Sequence, residues 1–489
     1  MKTTTARAVL VVLVLLCLPA PAGAATSSVV LHVDSAAPLG AIPRRAAGIV
    51  MEFSVSDSTP VSLARDIGLR YGRYGTYPHS YGLGNMPKGC WSGSPSDYGV
   101  LDQELARARD FGMDMTQLEV QLIYISPCDA LPGPLANALE QTGLSQLQYA
   151  SISAAAIVTN PRSVQGMLRA QMDHMATRFG IRTFAVWNEP DTAFPMAPQI
   201  YDKLYALVDA AKRSIEGAHH GLRLRLGGPE ASFADPTLVP QFLDFVGAQH
   251  LDLDSVTFHH YSPGGGQVNQ TTPSFMRDIA QVRTWMATAR QRYAWLGPEL
   301  VIDEWGYDPS SLDAVDRDGA AFVASTLTTL VDERVAGAMY FNWQDKKPDE
   351  CDQVWCRTPV LHLGVLDAND RPRATYEAFR LFHQLADARV HADPTTAALA
   401  GGQEWGALAT RASDGDVFVL LHNWDPSGHG SDLHVRVIVD HMAVRSWTEE
   451  TVTTAASVAR VTGFGVPAVR LPANDIVLLT LRGYAHRSG

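Results

Sequence analysis

Several common signatures are missing from this 489-residue chain. No G-x-G-x-x-G follows its first strand-like run, which removes the usual fingerprint of a dinucleotide-binding sheet. No G-x-S-x-G elbow is present, so the commonest serine-hydrolase arrangement is not offered. No C-x-x-C pair accompanies the cysteines, and no histidine stands near them at metal-ligand spacing, so zinc is disfavoured. Positive charge is scarce: 39 Lys and Arg against 51 Asp and Glu give a formal net charge of −12. Such a balance disfavours nucleic acid as a partner and suits a neutral or weakly charged substrate. Internal repeats and charge runs are absent too. Beyond the N-terminus no segment is apolar enough to cross a membrane.

The N-terminus is the exception. MKTTTAR carries Lys2 and Arg7, AVLVVLVLLCLP supplies a short apolar core, and AGA at 22–24 is a small-x-small cleavage site. Residues 1–24 therefore read as a secretory signal peptide, and the expected location is extracellular or periplasmic. Cleavage would leave Cys90, Cys128, Cys351 and Cys356, an even number in an oxidising compartment. A disulfide between Cys351 and Cys356 would close the small loop CDQVWC and one between Cys90 and Cys128 would pin a long excursion, the spacing alone leaving the connectivity open.

What is there is alternation. Strand-like runs occur at GIVMEF (48–53), LRYGRYG (69–75), MDMTQLEVQ (113–121), TFAVWNE (183–189), LRLRLGGPE (222–230), DSVTFHH (254–260), LVIDEW (300–305) and GAMYFNW (337–343). Helical periods lie between them, as at 200–218, where Ile200, Leu204, Leu207, Val208, Ala211 and Ile215 share one face. Eight strands alternating with helices predict a (β/α)8 TIM barrel over 45–388. Past the helical pattern at 373–388 come short alternating strands with Asp-Gly and Pro-Ser-Gly punctuation. These predict a C-terminal antiparallel β-sandwich over 389–489, joined by a strand from 25–44. The segment 122–160, rich in Pro, Ala, Ser and Gln, reads as a long loop: either a rim of the site or a disulfide-tethered insertion.

In such a barrel the C-terminal ends of the strands share one bowl. Glu189 ends the fourth run and Glu304 the seventh, so two carboxylates 115 residues apart (304 − 189) are expected on one rim. Paired carboxylates can cleave a glycosidic bond, one protonating the leaving oxygen and the other attacking the anomeric carbon. Asn188 offers an amide to a sugar hydroxyl, the Tyr261 hydroxyl is placed to donate to Glu304, and Trp343 offers a flat face to a ring. His259 and His260 point to opposite faces of one strand, which argues against their sharing a metal. No cofactor is expected.

The W-N-E-P-D run at 187–191 resembles the acid/base signature of glycoside hydrolase family 39, in the clan of retaining barrel hydrolases. GGPE at 227–230, H-x-Y at 259–261 and GVLDANDRPRATYEAF at 364–379 are similar to further segments of that family. The resemblance implies a barrel with an appended β-sandwich, with Glu189 as acid/base and Glu304 as nucleophile. It implies that Asn188, His259, Tyr261 and Trp343 line the subsite for the cleaved sugar. Arg73 would match the clan's second-strand arginine, with Arg70 as its rival. The family holds β-xylosidases and α-L-iduronidases. The first two strands look as much like heparanase-like or arabinofuranosidase-like relatives. A neutral pentoside is the first expectation for substrate. A uronide is second, because Lys346 and Lys347 follow Trp343, and internal cleavage of an exopolysaccharide is third. A carbohydrate-binding protein on an inactive barrel is the alternative of another class.

Overall fold

The computed structural model describes residues 27–51, 60–77, 85–141, 144–261, 272–307, 312–345, 363–399, 402–427, 429–453 and 458–485. The segment 1–24, Lys346, Lys347, Cys351 and Cys356 lie outside these residues. Among the described residues no helix is long and apolar enough to cross a membrane.

After β1 (Ser27–Ala41), eight strands close a parallel barrel. They are β2 (Gly48–Val50), β3 (Gly72–Gly75), β4 (Glu119–Leu122), β5 (Thr183–Val186), β6 (Arg225–Ala231), β7 (Ser255–His260), β8 (Glu299–Trp305) and β9 (Gly337–Tyr340), with β9 pairing back onto β2. Each falls inside or overlaps one of the eight runs above. The strands are buried on both faces because helices cover the outside, which is why they read as continuous apolar runs. The helix at 200–218 begins two residues earlier, at Pro198, and buries Leu204, Val208, Ala211 and Ile215. Proline suits that first position because its missing N–H would be unsatisfied there anyway.

Two of the barrel strands carry an extra residue. Between β6 and β7 the register runs from Gly228↔Val256 to Ala231↔Phe258, so Pro229 and Glu230 stand opposite a single residue. Between β7 and β8 it runs from Phe258↔Ile302 to His259↔Glu304, which makes Asp303 the surplus residue. A bulge breaks the strict in-out alternation of a strand. Both Asp303 and Glu304 consequently end up buried on the barrel side.

The segment 122–160 is not a loop. It holds helices at Gly133–Ala138 and Gln146–Thr159, the second opened by a capping box between Ser145 and Gln148. Its Ala and Ser content disguised a buried face formed by Tyr149, Ile152, Ala156 and Ile157. The disulfide Cys90–Cys128 ties the segment to the chain before it, with a Cα–Cα distance of 4.9 Å.

The C-terminal strands form a curled sheet separate from the barrel. Its nine-strand path is β16-β15-β18-β13-β12-β10-β1-β14-β17, built from β10 (Ala388–Asp393), β12 (Glu404–Arg411), β13 (Val417–Trp424), β14 (Leu433–Asp440), β15 (Met442–Val452), β16 (Val458–Phe464), β17 (Ala468–Leu471) and β18 (Ile476–Ala485). The tenth strand, β11 (Thr396–Ala398), pairs with β12. The sheet is mixed rather than wholly antiparallel, because β1 lies parallel to β14 and antiparallel to β10. One face carries its own apolar cluster, including Val419, Leu421, Val435, Val437, Leu479 and Leu481. The other contributes Leu420, Trp424, Val452 and Leu478 to the core of the barrel.

Candidate active site

Glu189 follows β5 on a backbone that bends sharply. Trp187 and Glu189 both have positive φ, 75° and 43°, and Glu230 opposite them has 59°. Non-glycine residues in this region carry strain of order 1–3 kcal/mol each, which packing must hold in place. Here it does. The Glu189 N–H donates to the Glu230 carbonyl at 2.9 Å, and the Trp187 indole N–H donates to the Phe194 carbonyl at 2.8 Å. Tyr149 stacks on Trp187 with ring centroids 6.2 Å apart, so the helix at 146–159 supports this turn from behind. Asp191 accepts from the Ser232 hydroxyl at 2.6 Å and from its N–H at 3.0 Å, stapling the turn to the end of β6.

The two glutamates meet. One carboxylate oxygen of each, together with a ring nitrogen of His259, lie within 4.8 Å of one another. Glu304 accepts from Arg73 Nη1 at 2.5 Å and from the Tyr261 hydroxyl at 2.6 Å. Glu189 Oε1 lies 2.7 Å from His259 Nδ1, and Thr192 Oγ1 is 3.4 Å from its other oxygen. Arg73 Nη2 donates to Asn188 Oδ1 at 2.6 Å, so one fully buried guanidinium ties the amide beside one glutamate to the carboxylate of the other. Such charge-assisted contacts fix geometry as well as charge. Arg70, the rival, is exposed.

Of the expected residues, Asn188, Glu189, His259, Tyr261, Glu304 and Arg73 thus form one connected group. Trp343 stands apart from it: the ring is fully buried and tilted against Phe111, 5.8 Å between centroids. His260 points away from His259, as alternation requires, and its Nδ1 meets Asp278 Oδ2 at 2.9 Å.

Beneath the glutamates lies a layer that sequence reasoning missed. Gln121 donates to Asn188 Oδ1 at 3.0 Å and to Glu230 Oε2 at 2.8 Å, and the Thr257 hydroxyl donates to Glu230 Oε1 at 2.7 Å. Asp303 Oδ2 stands 3.7 Å from His259 Nε2 and 3.9 Å from Arg73 Nε. Burial, then the neighbouring Asp303 charge and a hydrogen bond to it, hold the Glu230 carboxyl well above its ordinary pKa. Burial opposes the ionisation of Asp303 as well. The contact with Glu230 and the charges of His259 and Arg73 outweigh it and keep Asp303 low. Burial likewise works against a charged His259. The charges of Glu304 and Asp303, with the hydrogen bond to Glu189, outweigh that and hold its pKa well above the usual histidine value. One signal for this layer was present, the adjacent carboxylates Asp303-Glu304 inside a strand, of which strict alternation assigns one to the outside.

Two trios of potential ligands share this space: Glu189, His259 and Glu304, and Glu230, His259 and Asp303. Arg73 reaches into both, so their negative charge already meets a fixed cation.

The model of the family described as glycosyl hydrolases family 39 matches residues 158–429, more than half of the chain. No curated protein matches. Solved structures similar to the chain include a GH39 enzyme from Xanthomonas axonopodis pv. citri, with 16% identity, TM-score 0.67 and coverage of 96% of this chain and 100% of that one. A monomeric β-xylosidase from Caulobacter crescentus CB15 shows 16% identity and TM-score 0.67 over 93% and 100%. An α-L-arabinofuranosidase from Thermotoga maritima shows 12% identity and TM-score 0.60 over 93% and 99%.

Proposed function

The chain belongs to glycosyl hydrolases family 39 and is a glycosidase, and from that premise we propose a secreted, retaining, exo-acting enzyme that cleaves a neutral pentoside, a β-xyloside or an arabinoside. The observation that carries the mechanism is the closeness of the two carboxylates. Oxygens within 4.8 Å of one another fit the short separation of retaining enzymes, about 5–5.5 Å between carboxyl groups. An inverting pair, roughly 6.5–9.5 Å apart, must leave room for a water between carboxylate and sugar.

The roles follow from the partners. Glu304, held by Arg73 and Tyr261, is presented as a fixed nucleophile whose oxygens cannot swing away from the anomeric carbon. Glu189 has one oxygen on His259 and the other held only by a long contact from the Thr192 hydroxyl at 3.4 Å, which suits a group that gives its proton to the departing oxygen and later takes one from water. Asn188, whose Oδ1 accepts from Arg73 and Gln121, presents its amide hydrogens to a sugar hydroxyl. The pentoside reading draws on the β-xylosidase and α-L-arabinofuranosidase among the similar folds. Secretion draws on the N-terminal segment.

The test is a panel of aryl glycosides given to the purified mature protein: β-xyloside, α-arabinofuranoside, both arabinopyranosides, β-glucoside, β-galactoside, β-glucuronide and α-iduronide. Turnover of a pentoside that disappears in Glu304→Gln supports the reading. Turnover of a uronide alone replaces the substrate, and turnover undiminished in Glu304→Gln overturns the mechanism.

A further inference from the structure

We propose that Asp303 is a positioning residue for the reaction, acting through His259 on Glu189. This rests on the assignment of Glu189 as acid/base. The imidazole of His259 is fully buried between two carboxylates, with Nδ1 2.7 Å from Glu189 Oε1 and Nε2 3.7 Å from Asp303 Oδ2. At 3.7 Å the Nε2 side is an ion-pair contact rather than a hydrogen bond, and a buried carboxylate at that distance, with Glu189 against Nδ1, favours a ring that carries a hydrogen on each nitrogen. Asp303 is brought to this point by the bulge in β8, directly before the nucleophile.

The consequence lies in where the proton of Glu189 sits. With Nδ1–H donating to Oε1, the acid proton is confined to Oε2, the oxygen left for the leaving group. Were Nδ1 bare, Oε1 would carry the proton and donate it to the ring, pointing it away from the substrate. Without Asp303, the carboxyl left beside the ring in the Glu230–His259–Asp303 trio is Glu230, whose neutral form is favoured, so the doubly protonated ring loses its anionic support there. The charged and titratable groups around His259 are Glu189 after β5, Glu304 and Asp303 on β8, Glu230 on β6, Glu119 on β4, Arg73 on β3 and Tyr261 after β7. Glu230 and Asp303 share this space with the ring, and Asp303 Oδ2 is the carboxylate oxygen 3.7 Å from Nε2.

Two substrates separate this role from a structural one: the same glycoside carrying an activated dinitrophenyl leaving group, and one carrying a poor leaving group such as phenyl. Acid assistance matters only for the second. Asp303→Asn is expected to lower kcat/KM for the phenyl glycoside by about 10–100-fold, part of the usual worth of a positioned acid, while the dinitrophenyl glycoside loses far less. The basic limb of the pH profile should also move. Equal losses on both substrates with an unmoved profile overturn the proposal. Glu189→Ala is the reference: if it lacks the same dependence on leaving group, the acid/base assignment fails. If it shows that dependence and Asp303→Asn does not, only the present inference fails. In the unmodified protein, nitrogen NMR of labelled histidine gives a readout independent of folding of the variant. His259 is expected as a doubly protonated ring at pH 7, and a neutral ring overturns the proposal.

Discussion

Glu119 and His422 are both buried titratable side chains whose polar atoms find no hydrogen-bonding side chain, one under the barrel mouth and the other inside the C-terminal sheet. Burial pushes the Glu119 carboxyl up to about 7, the nearby Asp303 charge adding to it against Arg73, Arg45 and His259. Burial drives the His422 imidazole down to about 3, against a small lift from the Thr395 backbone. The same physical cause therefore gives the two regions opposite responses to pH. Around Glu119 the interior is crowded with charge, since Asp303, Arg73, Arg45, His259 and Glu230 all converge there. Around His422 the interior is apolar: its strand partners are Gly406 and Ile476, and the same face of the sheet carries Leu420, Trp424 and Leu478. A region built for charge must hold protons in a network. A region built for packing simply excludes the charged form.

The strongest way to break the comparison is to remove its cation. Arg73→Met would leave Asp303 and Glu304 buried without their fixed positive partner, and a loss of about 3–5 kcal/mol is expected on removing one member of such a group. Denaturant midpoints would show it, and turnover should vanish with it.

The pH responses come next. His422 stays neutral in the fold down to about pH 3 but titrates near 6.5 when unfolded, so its contribution is present above about 6.5 and is lost as pH falls towards 3. His422→Leu should therefore lose less stability than the parent between pH 7 and pH 4, the difference approaching about 3 kcal/mol. Glu119 has the opposite sign. Its protonated form is favoured by the fold, so its contribution is present below about pH 4.5 and is lost as pH rises through about 7. Glu119→Gln should match the parent near pH 4.5 and exceed it at pH 8 by roughly 2–3 kcal/mol. Unfolding curves at the two pH values check both, and equal slopes in parent and variant would remove the contrast.

The smallest effect concerns the staple between loops. Ser232→Ala removes the hydroxyl that Asp191 accepts at 2.6 Å but keeps the backbone N–H bond. A loss of about 1 kcal/mol in stability is expected, with a modest fall in kcat because the turn bearing Glu189 is held less firmly.

The barrel was legible in the sequence because its strands are covered on both faces and so appear as apolar runs with helical periods between them. The sheet was less so. Strand β15 reads MAVRSWTEETV, and its Arg, Ser, Thr and Glu residues hide a strand ten residues of which pair with β18. Strand β16 is exposed along nearly its whole length and offers no alternation between a buried and a wet face. At the site, Glu189, Glu304, Asn188, Tyr261 and Arg73 could be named because they sit at the ends of strands or within a known run. Glu230 and Asp303 could not, since bulges turn them inward where strict alternation would place one residue of each neighbouring pair outside. The helix at 146–159 was missed for a different reason: its Ser145-x-x-Gln148 capping signal was present but its small residues resemble a loop.

The central claim is that Glu189 and Glu304 act together by double displacement, and the configuration of the first-formed sugar tests it most directly. Proton NMR of the reaction mixture, taken before mutarotation, with the aryl glycoside that the protein turns over, reads that configuration. The account predicts a product with the same anomeric configuration as the substrate. An inverted product would contradict it.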